Sequence, residues 1–187
     1  MAASTSQKKI LTIPNLLSFF RLCLIPLILW FYCVKEDALW ATLLLVLSGL
    51  TDIVDGWIAR HFNMVSDFGK AFDPVADKLT QIAMLFCLLT RFRLMLLPLC
   101  LLIVKELFAA VTGLMTIKKT GNVMGADWHG KVATVLLYGM IGLHFIWYRI
   151  PAAVSNVTIL LSTTMLLISA FLYGRRNLKV LMEKNDV

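Results

Sequence analysis

Four aspartates fall into two regularly spaced pairs in a mostly apolar stretch of the sequence. Asp52 and Asp55 are three residues apart, and Asp73 and Asp77 are four residues apart. Side chains at these spacings share one face of an α-helix, so each pair is expected to point one way from its own helix. The residues between the pairs can form a turn that brings the two faces together. The spacing therefore predicts a site where four carboxylates converge.

Converging carboxylates in an apolar setting repel one another strongly unless cations neutralise them. Their hard oxygens favour Mg2+, Mn2+ or Ca2+, and a magnesium ion held by carboxylates usually also holds substrate phosphates. The alternative is that the four acids lie on solvated helix faces. This alternative is disfavoured because the flanking sequence is apolar enough for a membrane, where unpaired charge is costly. We therefore expect a divalent-metal site that handles phosphates.

The composition indicates that this site belongs to a membrane protein. Of 187 residues, 59% are hydrophobic and 16% charged, whereas soluble domains are usually about 45–50% apolar and about 25% charged. The formal net charge is +7, but the basic residues lie mainly in loops and tails, which is typical of membrane topology rather than nucleic-acid binding. The length suits one domain, residues 1–187.

Six apolar segments are long enough to cross a hydrocarbon core of about 30 Å. They predict an all-α, polytopic membrane protein with six transmembrane helices. The predicted helices cover residues 14–34, 39–60, 69–91, 94–116, 128–148 and 153–173. Residues 1–12 are expected to form a polar tail and a short amphipathic segment at the membrane interface. Residues 174–187 are expected to form a basic tail, with Gly174 ending the last helix.

The predicted topology places both termini and the four acids on the same side of the membrane. Lysines and arginines are more frequent in the loops and tails of that side than in those of the other side. Because cytoplasmic segments carry the excess of basic residues, the termini and the acids are expected to face the cytoplasm. An inner or plasma membrane is the expected location.

The residues around the acids also match a family signature, D-x2-D-G-x2-A-R-x8-G-x3-D-x3-D. All eight fixed positions match: Asp52, Asp55, Gly56, Ala59, Arg60, Gly69, Asp73 and Asp77. The pattern resembles that of the CDP-alcohol phosphatidyltransferases. This resemblance implies a six-helix membrane enzyme that uses two divalent ions to transfer a phosphatidyl-type group from a CDP-linked donor to an alcohol, releasing CMP. It also implies a homodimer.

The resemblance assigns roles within the signature. Asp52, Asp55 and Asp73 are expected to bind the two ions, Mg2+ or Mn2+, while Asp77 is expected to act as the general base and to contact a metal. The residues expected to contact the CDP donor are Asp55, Gly56, Ala59, Arg60 and Gly69. Glycine allows close approach of a nucleotide, although packing between helices is the alternative reason for glycines at these positions.

Other segments resemble the phosphatidylglycerophosphate synthase branch of the family, which implies CDP-diacylglycerol as donor and glycerol 3-phosphate as acceptor. These segments are residues 13–21, 73–78 and 130–134. The chain departs from the branch where it has Lys105-Glu106 in place of Arg-Glu. The similarity covers roughly residues 10–135.

Glycerol 3-phosphate is a dianion, and its phosphate needs cationic partners. Charges within membrane helices mark functional sites by default, so Lys105, Lys131 and Arg21 are predicted to bind the acceptor phosphate. The alternatives are charge balance inside the helix bundle and, for Lys131, a side chain that extends to the interface.

Rival functions remain open on the sequence alone. Another acceptor within the same family, either phosphatidylglycerol in cardiolipin synthesis or an inositol phosphate, is the nearest alternative. A divalent-cation transporter is a more distant one. A transporter would have acids distributed through the membrane depth, whereas these acids cluster at one end of two helices.

Overall fold

The computed structural model describes residues 12–61, 67–120 and 128–182, which consist almost entirely of helices and contain no β-strand. The α-helices are α1 (Ile13–Leu29), α2 (Ala38–His61), α3 (Asp67–Leu89), α4 (Leu96–Thr120), α5 (Trp128–Ile146) and α6 (Ala152–Met182). A π-helical segment follows α1, and a short 3-10 turn precedes α4. The predicted all-α fold is confirmed.

Five of the helical segments in the described part of the chain are long and apolar enough to cross a membrane. They are Asn15–Val34, Ala38–Ile58, Arg93–Thr116, Trp128–Ile146 and Ala152–Leu178. This confirms an integral membrane protein with several spans. Helix α3 forms where a third span is predicted, but Asp73 and Asp77 lie in its first half and Lys78 lies at its midpoint. Its crossing of the membrane therefore remains a prediction.

Local sequence explains the shape of α1, the helix that matters most for the site. The Thr12 hydroxyl accepts a hydrogen bond from the Asn15 N–H at 3.5 Å and so caps the first turn. Pro26 lies inside the helix, where it cannot donate the usual backbone hydrogen bond. The helix then widens into the π-helical segment Trp30–Val34. The predicted interfacial segment before Thr12 lies outside the described residues.

The predicted end of the last helix is wrong, because α6 continues past Gly174 to Met182. A Cβ atom at Gly174 would meet only the Phe108 ring, at an ordinary contact distance of 3.6 Å. One turn later, the Asn177 amide donates to the Thr112 hydroxyl of α4 at 2.7 Å. Packing against α4 therefore sustains the helix through residues assigned to a basic tail.

The described residues form two compact units, with the boundary between Cys87 and Leu88. In the first unit, α1 packs against α2, and Leu24, Ile28 and Ala41 are buried. In the second unit, α6 packs against both α4 and α5. The buried side chains of the second unit include Leu102, Leu137, Ile141, Ile159 and Leu166. A single domain over residues 1–187 stays a prediction.

Candidate active site

Two buried polar residues of α1, Ser18 and Arg21, organise the predicted site. They lie three residues apart, so they share one face of the helix, and their exposed fractions are 0% and 2%. Buried polar groups in an otherwise apolar helix are expected to be hydrogen-bonded. Both find partners among the four signature aspartates, Asp52, Asp55, Asp73 and Asp77, which we call the carboxylate cluster.

Ser18 joins the two aspartate pairs. Its hydroxyl oxygen lies 2.6 Å from Asp73 Oδ1 on α3 and 3.3 Å from Asp55 Oδ2 on α2. A hydroxyl has one proton to donate, so the shorter contact to Asp73 is the stronger hydrogen bond. One carboxylate from each pair thus lies within reach of the same oxygen atom.

Arg21 makes contacts with three members of the carboxylate cluster. Its Nη2 atom donates to Asp55 Oδ2 at 2.6 Å, and Nη1 lies 2.5 Å from Asp52 Oδ1. Nη1 also donates to Asp77 Oδ1 on α3. The remaining donor atom, Nε, is buried and has no hydrogen-bond partner within the described part of the chain.

The side chains of the carboxylate cluster differ in how far they are exposed. The side chain of Asp55 is 7% exposed, whereas those of Asp52 and Asp77 are 47% and 38% exposed. Asp73 is partly exposed. Asp52 and Asp77 are therefore the carboxylates most accessible to a bound molecule, whereas Asp55 is buried.

The donor chemistry of the carboxylate cluster fits a divalent cation. Three of the carboxylates contact one guanidinium and the fourth, Asp73, accepts from Ser18, so negative charge is in excess, and carboxylate oxygens are the ligands that Mg2+ and Mn2+ prefer. Across the described residues, however, no three or more His, Cys, Asp or Glu side chains form a ready-made metal-binding group. The side chains of Ser18 and Arg21 instead make the close contacts with these acids.

The residues predicted to contact the donor nucleotide are only partly described. Gly56 directly follows Asp55 on α2 and is partly exposed, and Gly69 lies buried in the first turn of α3. Ala59 and Arg60 belong to the last turns of α2, but their side chains lie outside what the structure describes.

The two lysines predicted to bind the acceptor lie in the second unit, in different environments. Lys105 on α4 is 8% exposed, and its Nζ atom lies 2.8 Å from Glu106 Oε1. The same atom lies 5.9 Å from the centroid of the Tyr173 ring on α6. Lys131, in the first turn of α5, is exposed. Only Lys105 has the burial expected of a built binding site.

Tyr173 is a residue that the sequence reasoning missed. Arg176 Cζ lies 5.0 Å from the centroid of its ring, and the buried His129 ring meets it edge-on at 4.7 Å. His129 Nδ1 also lies 3.2 Å from the hydroxyl oxygen of Ser169. We call Lys105, His129, Tyr173 and Arg176 the tyrosine cluster.

A signal for the tyrosine cluster was present in the sequence. Ser169, Tyr173 and Arg176 are four and three residues apart, the spacing of one helix face. This spacing indicates a shared face only if the helix continues beyond residue 173, as α6 does. Gly130 supports the same arrangement, because a Cβ atom there would come within 2.6 Å of the Tyr173 hydroxyl oxygen.

Curated relatives share part of this sequence. The chain is 39% identical over 104 residues to the CDP-diacylglycerol–glycerol-3-phosphate 3-phosphatidyltransferase of Rickettsia typhi, covering 54% of this chain and 57% of the relative. It is 46% identical over 77 residues to a cardiolipin synthase (CMP-forming) of Streptomyces coelicolor, covering 38% and 35%. A cardiolipin synthase (CMP-forming) of Rattus norvegicus is 41% identical over 114 residues, covering 59% and 37%. The matched regions thus span about a third to three fifths of these relatives.

A model of one protein family matches most of the chain. The family is described as CDP-alcohol phosphatidyltransferase, and the match runs over residues 11–173. It includes α1 to α5 and most of α6, and therefore both the carboxylate cluster and the greater part of the tyrosine cluster. The chain belongs to the CDP-alcohol phosphatidyltransferase family.

Proposed function

We propose that the protein transfers the phosphatidyl group of CDP-diacylglycerol to glycerol 3-phosphate, forming phosphatidylglycerophosphate and CMP. The observation that carries this proposal is the meeting of Asp55 of α2 and Asp73 of α3 at Ser18, within a chain that belongs to the family. The Rickettsia typhi relative, whose name includes this donor and acceptor, aligns over more than half of each chain.

The proposed reaction exchanges one phosphorus–oxygen bond for another. The acceptor hydroxyl oxygen forms a bond to the phosphorus of the phosphatidyl group, and the bond between that phosphorus and the departing CMP breaks. Asp77, whose side chain is 38% exposed, accepts the proton of the acceptor hydroxyl. Arg21 donates to Asp77 Oδ1, so the second carboxylate oxygen, Oδ2, is the one proposed to take the proton.

The proposal includes two divalent ions, Mg2+ or Mn2+, held by Asp52, Asp55, Asp73 and Asp77. When bound, such ions neutralise diphosphate charge and stabilise the leaving CMP. The donor nucleotide is proposed to lie against Asp55, Gly56, Ala59, Arg60 and Gly69. Gly56 suits this role because it directly follows Asp55, is partly exposed and has no side chain to hinder approach.

The acceptor phosphate is proposed to bind Lys105, with Lys131 and Arg21 as further cationic ligands. Lys105 is the strongest of these candidates because it is buried beside Tyr173, in a cluster that also contains Arg176. A phosphate entering this cluster would meet two cationic side chains, which make charge-assisted hydrogen bonds to phosphate oxygens. Lys131 is exposed and is expected to contribute less.

A second candidate acceptor is phosphatidylglycerol, which would make the product cardiolipin. The alignments with the Streptomyces coelicolor and Rattus norvegicus cardiolipin synthases favour it. The choice depends on the acceptor site, because the same signature aspartates would handle the donor in both reactions. Membership of a transferase family favours either reaction over transport of divalent cations.

The proposal also places both termini and the carboxylate cluster on the cytoplasmic side of an inner or plasma membrane, with the protein acting as a homodimer. The excess of basic residues in the predicted loops of that side supports this orientation. CDP-linked donors are nucleotides, and nucleotide-activated substrates are found in the cytoplasm.

Release of CMP from the purified protein tests the function directly. The protein is incubated in detergent with Mg2+ or Mn2+ and CDP-diacylglycerol, and glycerol 3-phosphate, phosphatidylglycerol, inositol phosphate and serine are offered singly. We expect release with glycerol 3-phosphate alone. Release with phosphatidylglycerol alone would select the cardiolipin reaction, and no release with any acceptor would contradict the proposal.

The variant Asp77→Asn tests the proposed general base. Since a positioned base typically contributes about 100-fold to 10,000-fold in rate, we expect CMP release to fall at least about 100-fold. Asp37→Asn is the matched control: Asp37 caps α2 through the N–H groups of Leu39 and Trp40, and asparagine caps helices equally well. An equal loss of rate in both variants would argue against a specific role for Asp77.

Substitution of the lysines tests the acceptor site. Lys105→Ala is expected to raise the KM for glycerol 3-phosphate at least about tenfold, since a lost charged hydrogen bond is worth about 1.5–3 kcal/mol. Lys131→Ala is expected to have a smaller effect because the side chain is exposed. An unchanged KM in both variants would remove these lysines from the acceptor site and leave the reaction itself untouched.

A further inference from the structure

Arg21 is the main cationic partner of the carboxylate cluster among the described residues. Its guanidinium contacts Asp52, Asp55 and Asp77, which belong to two different helices. Its own side chain is 3% exposed and that of Asp55 is 7% exposed, so the contact with Asp55 is little weakened by water, whereas Asp52 and Asp77 are more exposed. The guanidinium therefore occupies the region where the charges of the acids are most concentrated.

This arrangement leaves the charge of the carboxylates only partly neutralised and one N–H donor of Arg21 without a partner among the described residues. Arg21 carries a single positive charge against the carboxylates that it touches. Its Nε atom is buried with no hydrogen-bond partner among the described residues, although a guanidinium offers five N–H donors in a planar fork. An arginine with a purely structural role in an ion-pair network would be expected to use all of its buried donors.

Divalent cations held by the same acids would lie close to the guanidinium, and like charges at short range repel. Carboxylate oxygens that bind a metal ion are also weaker acceptors for an arginine. Binding of the metals and the present position of Arg21 are therefore expected to oppose each other.

We propose that Arg21 is a displaceable counter-ion of the carboxylate cluster. It holds the acids together when no divalent cation is bound, and it is displaced when these cations bind. The inference rests on the proposed function, since it assumes that the cluster is the metal site. The displaced guanidinium, with its planar fork of donors, becomes available to phosphate oxygens of a substrate. Metal would then bind before the anionic substrates.

The alternative is that Arg21 holds the acids in a fixed position. The two roles predict opposite changes in metal affinity when Arg21 is removed. If Arg21 competes with the metal, its removal strengthens metal binding. If Arg21 holds the acids in the geometry that the metal needs, its removal weakens metal binding. The sign of the change therefore decides between the two roles without any measurement of activity.

The experiment compares Mn2+ binding by the wild-type protein and Arg21→Gln. Purified protein is stripped with a chelator and titrated with Mn2+, and the free ion is followed by electron paramagnetic resonance. Because a unit charge a few ångströms away contributes several-fold or more in affinity, we expect the Kd of Arg21→Gln to be at least about threefold lower than that of wild type. The rise in Tm produced by Mn2+ is expected to be larger in this variant.

Two further variants complete the design. Arg175→Gln makes the same change of residue and net charge at an exposed position of α6, and it is expected to bind Mn2+ as wild type does. Arg21→Lys keeps the charge but lacks the fork that reaches three carboxylates, so it should bind Mn2+ more tightly than wild type by a smaller factor. If Arg21→Gln does not fold, Arg21→Lys still shows whether loss of the guanidinium strengthens or weakens Mn2+ binding.

Weaker or unchanged Mn2+ binding by the folded Arg21 variants would overturn the proposal while leaving the metal site intact. Absence of Mn2+ binding in wild type and Arg175→Gln alike would instead overturn the metal-dependent function, and this inference with it. The two failures are thus distinguished in a single titration series.

Discussion

Ser18 shows how much a single small side chain contributes to this site. Its hydroxyl lies between a carboxylate of α2 and a carboxylate of α3 and has no exposed surface. Without a donor at this position, Asp55 and Asp73 would lie close together with one fewer group to offset their repulsion. The residue is therefore expected to stabilise the fold and the proposed metal site together.

Ser18→Ala is expected to lower the free energy of unfolding by about 1.5–3 kcal/mol, the range for hydrogen bonds to charged groups. Ser162→Ala is the matched control, because the Ser162 hydroxyl is buried yet has no partner among the described residues. Its replacement should be nearly neutral or stabilising. Thermal or denaturant unfolding in detergent gives the comparison, and equal losses in the two variants would contradict the bridging role.

The sequence predicted the residues of the carboxylate cluster better than it predicted their partners. The spacing of Asp52, Asp55, Asp73 and Asp77 indicated convergence because helical periodicity is a local property. Arg21 was assigned to the acceptor phosphate because an intramembrane charge marks function, but the charge alone does not identify its partner. Its contacts with the acids depend on how α1 packs, and its role toward the acceptor stays a prediction.

At the scale of the elements, α6 is the clearest departure from expectation. Glycine inside a helix costs only about 1 kcal/mol relative to alanine, which is too little for Gly174 to end α6 by itself. Contacts with α4 offset such a cost, because Asn177 binds Thr112 at 2.7 Å. The added turns place Arg176 beside Tyr173, so the misjudged boundary also hid part of the tyrosine cluster.

Thr112→Val tests this link between α4 and α6. The substitution keeps the side-chain shape but leaves the Asn177 amide without its acceptor, so a loss of about 1–3 kcal/mol in unfolding free energy is expected. Thr163→Val is the control, because its hydroxyl bonds to the Ile159 carbonyl of its own helix at 2.7 Å. Faster hydrogen exchange over residues 174–182 should accompany the first change only. Similar exchange in both variants would show that this contact does not sustain the end of α6.

At the scale of the whole molecule, α3 decides the membrane topology. Within the described ranges, five helical segments meet the length and hydropathy of a span, and five crossings would place the termini on opposite sides. If α3 crosses as well, the termini lie on the same side. The fold class was predictable because the thickness of the bilayer dictates the length of a span, but counting spans is harder when a helix carries a polar site.

We expect both termini on the cytoplasmic side. A reporter active only in the cytoplasm, fused in turn to the N-terminus and to the C-terminus, should be active in both positions. A fusion at Arg91, in the turn that follows α3, is the control and should be inactive. Activity at one terminus only would indicate that α3 does not cross the membrane.

A Cβ atom added at Gly130 would lie 2.6 Å from the Tyr173 hydroxyl oxygen. A side chain at position 130 would therefore disturb the packing of the tyrosine cluster. A methyl group there would push the ring aside without altering any charge, whereas Gly139 of the same helix has nothing within 4 Å of an added Cβ atom. Since the acceptor phosphate is proposed to bind in the tyrosine cluster, Gly130→Ala should raise the KM for the acceptor, while Gly139→Ala should not. Comparison of the two variants would then test the shape of the proposed acceptor site without changing its charges.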